Sequence, residues 1–118
     1  MKDVAETLKF YGSVFGLETK LLHEGGDYGE LNTGATTLSF SSLELMQSLG
    51  KNASEANSKN PTFEIAFETE DVAGALFKAL EKGATLVQNA EEMPWGQTTA
   101  YVTDCNGFLV EICSPVSA

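Results

Sequence analysis

Two short stretches of the chain are nearly the same: "DVAETL" at Asp3–Leu8 and "DVAGAL" at Asp71–Leu76. In each, aspartate is a good helix N-cap, and apolar residues follow it at helical spacing. The first stretch predicts a helix over roughly Val4–Phe15 that Gly16 ends, and the second predicts a helix that ends at Gly83. The recurrence indicates a module that is present twice.

Strand-like segments follow both helices, separated by turns rich in glycine and asparagine. These candidate strands are Glu18–Glu24, Tyr28–Asn32 and Thr36–Ser41 in the first half, and Thr85–Asn89, Thr98–Thr103 and Phe108–Cys113 in the second. A further run, "TFEIAFETE", precedes the second helix, and its Phe63, Ile65 and Phe67 alternate with polar or small residues as in a half-buried strand. No such run stands before Asp3.

This order of elements predicts an α+β fold of two βαβββ modules, the first of which lacks its opening strand. We expect a single domain over residues 1–118. Module one covers about 1–42, a polar linker covers about 43–60, and module two covers about 61–118. Because an uncovered sheet edge is a liability, a partner chain could supply the missing pairing.

Composition narrows the possible functions. The net charge is −10, with 17 acidic residues against 7 basic ones, which argues against nucleic acid as a partner. The negative electrostatic field of such a chain favours a cationic ligand, although a plain acidic surface explains the charge as well. No apolar run reaches the ~20 residues of a membrane span, so we predict a cytoplasmic protein without a membrane partner. Cys105 and Cys113 show no metal-binding spacing, and Cys113 is expected to pack as a small apolar residue.

Three further motifs join the two helix starts: "FYGSVFGL", "PWGQTTAYVTD" and "NGFLVEI". Together they resemble the vicinal oxygen chelate superfamily, which includes glyoxalase I, bleomycin-resistance proteins, fosfomycin-resistance transferases and extradiol dioxygenases. The resemblance implies that the modules' sheets curl around a cleft, with one face of each sheet lining it. It also implies a homodimer, because small members usually dimerise and often build the cleft from both chains.

The resemblance also indicates where a metal site would lie. Metal-dependent members place ligands on the first and fourth strands of each module. In module two these positions fall on Glu64 and Glu111. In module one the fourth-strand position falls on Ser39, or on Leu38 if the register is shifted by one, and the first-strand position has no counterpart. At most two of the four expected protein ligands are therefore present.

This ligand set excludes some chemistry. A non-haem iron dioxygenase needs two histidines and a carboxylate, whereas the chain has only His23, which we expect at the surface. Glu64 and Glu111 with waters could hold Mg²⁺ or Mn²⁺ weakly. We predict no intact metal site and no cofactor, with a bound divalent metal ion as the alternative.

Other residues are candidates for ligand binding. Period-two alternation turns Glu64 and Glu111 away from their apolar neighbours, toward the implied cleft. There they could act as a general base, pair with a cationic ligand, or simply be solvated. Trp95, in the loop "EEMPWGQ", could stack on a ligand or anchor its own loop. Tyr101 lies on a strand face that lines either the pocket or the core.

Two functions are compatible with these features. The first is a protein like the bleomycin-resistance branch, which binds a small, cationic, partly aromatic molecule in a dimer cleft without an intact metal site. Its predicted ligand-binding residues are Trp95, Glu64, Glu111, Tyr101 and Ser39. The second is a metal-dependent lyase or isomerase of the glyoxalase I type, with Glu64 and Glu111 as candidate catalytic and metal-binding residues. Whether the protein is an enzyme stays open at this point.

Overall fold

The structure, a computed structural model, describes residues 1–116. The chain divides into two compact units: unit 1, Met1–Ala56, and unit 2, Asn57–Ala118. Each unit combines at least one helix with a β-sheet, which confirms the predicted α+β class. The expectation of a single domain stays a prediction. Over residues 1–116, none of the helices has both the length and the apolar character needed to cross a bilayer.

Unit 1 is a helix packed on a three-stranded antiparallel sheet. Its elements are α1 (Val4–Phe15), β1 (Glu18–Leu22), β2 (Tyr28–Asn32), β3 (Thr37–Ser41) and α2 (Leu43–Ser48), with the strands in the order β1-β2-β3. The start of α1 is capped by the Asp3 carboxylate, which accepts from the Glu6 backbone N–H at 2.9 Å. Gly16 ends the helix at φ 69°, a left-handed conformation that glycine adopts readily.

The core of unit 1 is aromatic where α1 meets the sheet. The Tyr11 ring stacks on Phe40 at 5.5 Å and on Phe15 at 6.2 Å between centroids. Gly29 lets α1 approach β2 closely, because a Cβ added there would lie 2.6 Å from Leu8 Cδ1. The helix therefore covers one face of the sheet and leaves the other face without it.

Unit 2 is a helix packed on a four-stranded mixed sheet. Its elements are β4 (Glu64–Glu68), α3 (Val72–Glu81), β5 (Thr85–Glu92), β6 (Thr98–Thr103) and β7 (Leu109–Cys113). The strand order is β4-β7-β6-β5, with β4 parallel to β7 and the other pairs antiparallel. Val110 and Ile112 of β7 are fully buried, as is Ala100 of β6. They form the centre of the core of this unit.

The two units repeat one contact at the start of their helices. In unit 2 the Thr69 N–H donates to the Cys113 carbonyl at 2.8 Å, at the end of β7. In unit 1 the Met1 ammonium donates to the Ser41 carbonyl at 3.2 Å, at the end of β3. Each helix is thus tied at its start to the end of the last strand of its own sheet.

Two local predictions were wrong, and the predicted linker over about 43–60 begins with a short helix, α2. Strand β5 continues past Asn89 to Glu92, because Glu91 and Glu92 pair with β6 although their local pattern resembles a loop. Phe63 lies before β4 and is 61% exposed, so it is not a half-buried strand residue. Its ring instead meets Phe108 edge to face at 6.4 Å.

Candidate functional site

The face of the unit 2 sheet that points away from the core carries the polar candidates. On β7, Val110 and Ile112 are fully buried, whereas Glu111 between them is half-buried and lies on the other face. On β4, Glu64 is exposed and Ile65 next to it is half-buried. Alternation of side chains along both strands therefore puts the two carboxylates on the same side of the sheet.

Strand register brings a tyrosine to these carboxylates. Tyr101 of β6 is directly opposite Glu111, and Ala66 of β4 flanks Glu111 on its other side. Glu64, two residues before Ala66, is then a diagonal neighbour of Glu111. The Tyr101 hydroxyl donates a hydrogen bond to Glu111 Oε2. We call Tyr101, Glu111 and Glu64 the Tyr101 site.

The Tyr101 site contains two carboxylates and no basic side chain, so it carries an excess of negative charge. The hydrogen bond to Glu111, then burial, then the charges of Glu111 and Glu64 all raise the pKa of Tyr101 well above its usual range. The salt bridges among residues 1–116 join Lys2 to Glu55 and His23 to Asp27, so neither site carboxylate has one. The Tyr101 hydroxyl donates to Glu111, and both carboxylates retain acceptor capacity for a cationic donor.

The same donor set does not fit a dedicated divalent-metal centre. Within residues 1–116 there is no group of three or more His, Cys, Asp or Glu side chains arranged to hold a metal ion. Catalytic zinc centres ordinarily use three protein ligands. Here Glu64 and Glu111 supply two, and one oxygen of Glu111 already accepts from Tyr101.

Trp95 is an exposed side chain held in one orientation. It lies in the turn between β5 and β6 and is 58% exposed. Its indole N–H donates to Gln97 Oε1 at 2.8 Å, and the Gln97 amide donates to the Ser114 carbonyl at 2.9 Å. This chain of contacts links the indole to the residue that follows β7. Whether the ring stacks on a ligand stays a prediction.

Cys113 packs as the sequence indicates. It is 5% exposed, and its Sγ lies 3.7 Å from the Phe67 carbonyl oxygen. Burial first, and then a hydrogen bond to Glu111 and the charges of Glu111 and Glu68, raise the pKa of the Cys113 thiol to about 11. A thiol in this environment is a poor nucleophile.

The two cysteines should therefore differ in reactivity. At about pH 8, roughly one Cys113 in a thousand is thiolate, so we expect iodoacetamide to alkylate exposed Cys105 at least ~100-fold faster. Because the folded pKa is raised, the stabilisation from this thiol is complete below 9.0, its ordinary pKa, and is lost as the pH rises toward 11. Peptide mapping by mass spectrometry measures both rates. Similar rates in the folded protein would contradict the assignment, and similar rates in denaturant are the control.

The structure also places the candidates of unit 1. Ser39 is exposed on β3, while Leu38 is opposite fully buried Leu31, so the register is not shifted. The residue opposite Ser39 is Glu30, a carboxylate that the sequence analysis missed. Pairing the two strands across the "NTGA" turn would have revealed it. His23 is exposed as predicted, with Nδ1 3.5 Å from Asp27 Oδ1.

Comparison with known proteins agrees with this fold. The family model of the glyoxalase-like domain matches residues 1–117. This chain belongs to the glyoxalase-like domain family. The membership confirms the resemblance to the vicinal oxygen chelate superfamily. No curated protein matched this glyoxalase-like chain significantly.

Solved structures show the same fold at low sequence identity. A glyoxalase/bleomycin resistance protein/dioxygenase family enzyme from Burkholderia phytofirmans PsJN is 21% identical, with a TM-score of 0.80 over 97% of this chain and 91% of that one. A glyoxalase-related enzyme from Fulvimarina pelagi is 21% identical, with a TM-score of 0.80 over 100% and 87%. TioX from Micromonospora sp. ML1 is 21% identical, with a TM-score of 0.72 over 97% and 91%. At such identities the likeness concerns the fold alone.

Proposed function

We propose that this glyoxalase-like protein binds a small, cationic, partly aromatic molecule at the Tyr101 site and does so as a cytoplasmic homodimer. One observation carries the proposal: Glu111, which accepts from Tyr101, and Glu64, its diagonal neighbour, have no salt-bridge partner among residues 1–116. An amidinium or ammonium group would supply the missing positive charge. It would also donate several hydrogen bonds to the free carboxylate oxygens.

The charge of the whole chain supports a cationic ligand. With 17 acidic and 7 basic residues, the protein attracts cations and repels anions before contact. Glu111 is half-buried, so its interaction with a bound cation is less screened by salt than that of a fully exposed pair. Tyr101 fixes the orientation of this carboxylate, which lowers the entropy cost of binding.

Trp95 suits the aromatic part of such a ligand. The indole is exposed and already oriented by Gln97, so that stacking on it requires little further ordering. A cation near the face of a tryptophan ring gains about 0.5 to 2 kcal/mol. Ser39, the remaining predicted ligand-binding residue, is exposed on the sheet of unit 1.

Binding of benzamidine tests the proposal, with benzamide as the neutral molecule of similar shape. We expect calorimetry to give benzamidine at least ~10-fold tighter binding, about 1.4 kcal/mol, and Glu111→Gln to remove that preference. Glu81→Gln is the matched control. It removes the same charge as Glu111→Gln, but from an exposed residue at the end of α3. Equal affinity for the two compounds, or an undiminished preference in Glu111→Gln, would overturn the proposal.

A lyase or isomerase of the glyoxalase I type is the second candidate. It is favoured by the position of Glu64 and Glu111 on the strands that carry metal ligands in related proteins, beside a phenol that could hold a proton. Calorimetric titration of the metal-stripped protein with Ni²⁺, Mn²⁺ and Zn²⁺ separates the candidates. Saturable micromolar binding that is lost in Glu111→Gln would favour the lyase. If neither the wild-type protein nor Glu111→Gln bound a metal, the lyase would be excluded and the cation-binding function would stand.

A further inference from the structure

Helix α3 carries an apolar stripe on the side that faces away from its own sheet. The residues that α3 buries against the sheet of unit 2 are Val72, Ala75, Leu76 and Ala79. Ala73, Phe77 and Leu80 are spaced by four and three residues, so they share the outer side of the helix, and all three are exposed. Phe77 is 63% exposed. A helix that is apolar on two sides is ordinarily covered on both.

Strand β5 extends this apolar surface along the edge of the same sheet. Leu86 is directly opposite buried Val102 of β6, so its side chain is on the side of the sheet that α3 covers, and yet it is 45% exposed. Among residues 1–116, four of the ten exposed large apolar side chains lie between Phe77 and Val87. Such a concentration marks an interaction surface, which single exposed apolar residues do not. We call it the α3 surface, and its residues are Ala73, Phe77, Leu80 and Leu86.

The charges beside the α3 surface change sign along the helix. Glu70 and Asp71 immediately precede α3, whereas its C-terminal end carries Lys78 and Lys82 with one acidic residue, Glu81. All five side chains are exposed, and neither lysine has a salt-bridge partner among residues 1–116. A second copy of the helix that runs antiparallel to the first would therefore place basic residues beside acidic ones at both ends.

Two-fold symmetry makes this arrangement available to a second copy of the chain. A two-fold dimer uses the same surface on both copies, and helices that cross its axis pair antiparallel. The register that seats Phe77 against the small Ala73 of the other copy also brings Lys78 beside Asp71 of the other copy, because both pairs are nearly symmetric about the middle of the helix. One register therefore satisfies both the apolar and the charged side chains. It also brings together two of the 7 basic residues of a chain whose net charge of −10 otherwise opposes self-association.

We propose that two copies of this chain associate through the α3 surface, helix against helix and antiparallel. The inference rests on the proposed function only in that it names the contact of the homodimer, and it needs no ligand. Tyr101 and Glu111 lie on the other face of the unit 2 sheet, so the α3 contact leaves the Tyr101 site of each copy open. Because the surface is small, we expect a dissociation constant on the order of micromolar.

Sedimentation velocity of the full chain between about 1 μM and 1 mM measures the association. We expect the sedimentation coefficient of the wild-type protein to rise with concentration as dimers form. Phe77→Gln should raise the dissociation constant at least ~10-fold, because each dimer loses two apolar anchors. Leu49→Gln is the matched control, since it removes an apolar side chain of similar exposure, 58%, at the end of α2, and it should leave the constant unchanged.

Variants of charge test the antiparallel arrangement. Lys78→Glu and Glu70→Lys should each weaken association at least ~5-fold, and the double variant should recover most of that loss because the two signs are exchanged together. Lys9→Glu, on an exposed position of α1, changes the net charge by the same amount as Lys78→Glu and should leave association within ~2-fold of the wild type.

The outcomes separate this inference from the proposed function. A dimer that persists unweakened in Phe77→Gln would overturn the inference and leave the homodimer in place. A chain that stays monomeric at the highest concentration would overturn the inference and the homodimer together, while benzamidine binding by the monomer would still support the Tyr101 site. Weakening in both charge variants without recovery in the double variant would overturn the antiparallel arrangement. Unchanged circular dichroism shows that the variants are folded, as expected for replacements of exposed side chains.

Discussion

Replacing Ile112 by alanine is expected to lower the free energy of unfolding by about 2 to 5 kcal/mol. Ile112 is fully buried at the centre of β7, between β4 and β6. The substitution removes buried methylene groups and leaves a cavity, and the surrounding strands cannot close it without losing their register. Urea denaturation followed by the fluorescence of Trp95, the sole tryptophan, measures the loss in unit 2.

Val87→Ala is the control for this experiment. Val87 is an apolar residue of β5 in the same sheet, but it is 56% exposed. Its truncation should cost less than about 1 kcal/mol. If Ile112→Ala and Val87→Ala had equal effects, Ile112 would not be the core residue described above. A change in the denaturant dependence of the transition would indicate that the denatured or native ensemble had changed as well.

The second large effect is expected on the titration of Tyr101. In Glu111→Gln the pKa of Tyr101 should fall toward its ordinary value of about 10, because the glutamine removes both a carboxylate acceptor and a negative charge. Ultraviolet absorbance of tyrosinate between about pH 9 and 12 follows the change. The spectrum of a Tyr101→Phe variant identifies the contribution of this residue, since the chain has 3 tyrosines.

The same shift makes stability depend on pH. The raised pKa means that the folded protein keeps the Tyr101 proton when the unfolded chain has lost it. The stabilisation from this group is therefore complete below the unfolded pKa of about 10 and declines as the pH rises above it. Glu111→Gln should show a weaker decline in that range. An unchanged Tyr101 titration in Glu111→Gln would mean that burial, and not the carboxylate, holds the proton.

Local patterns in the sequence were sufficient for most elements. The bounds of α1 were predicted at Val4–Phe15 because a capping aspartate and a left-handed glycine act within one turn of the helix. Strand β6 was predicted over Thr98–Thr103 for a similar reason, since turn residues bound it on both sides. The end of β5 was wrong, because Glu92 belongs to the strand only through its pairing with Thr98 of β6.

The candidate site was predicted only in part. The face of Glu111 followed from alternation with Val110 and Ile112, which needs nothing beyond the strand itself. The partnership of Glu111 with Tyr101 depends on which residue of β6 lies opposite, and strand alternation alone does not specify that register. Glu30 was not predicted as a neighbour of Ser39 for the same reason, since the two residues come together only when β2 and β3 pair.

The sequence by itself therefore determined the main helices and strands, the repeat, the family and the face on which Glu64 and Glu111 lie, whereas the face of Tyr101 and helix α2 did not follow from it. The helix bounds and the strand faces follow from the sequence because capping and alternation act between residues close together in the chain. The tertiary structure decided which polar side chains meet: Tyr101 with Glu111 across β6 and β7, and Glu30 with Ser39 across β2 and β3. Strand register decides these encounters, because it joins segments that local periodicity leaves free to slide past one another.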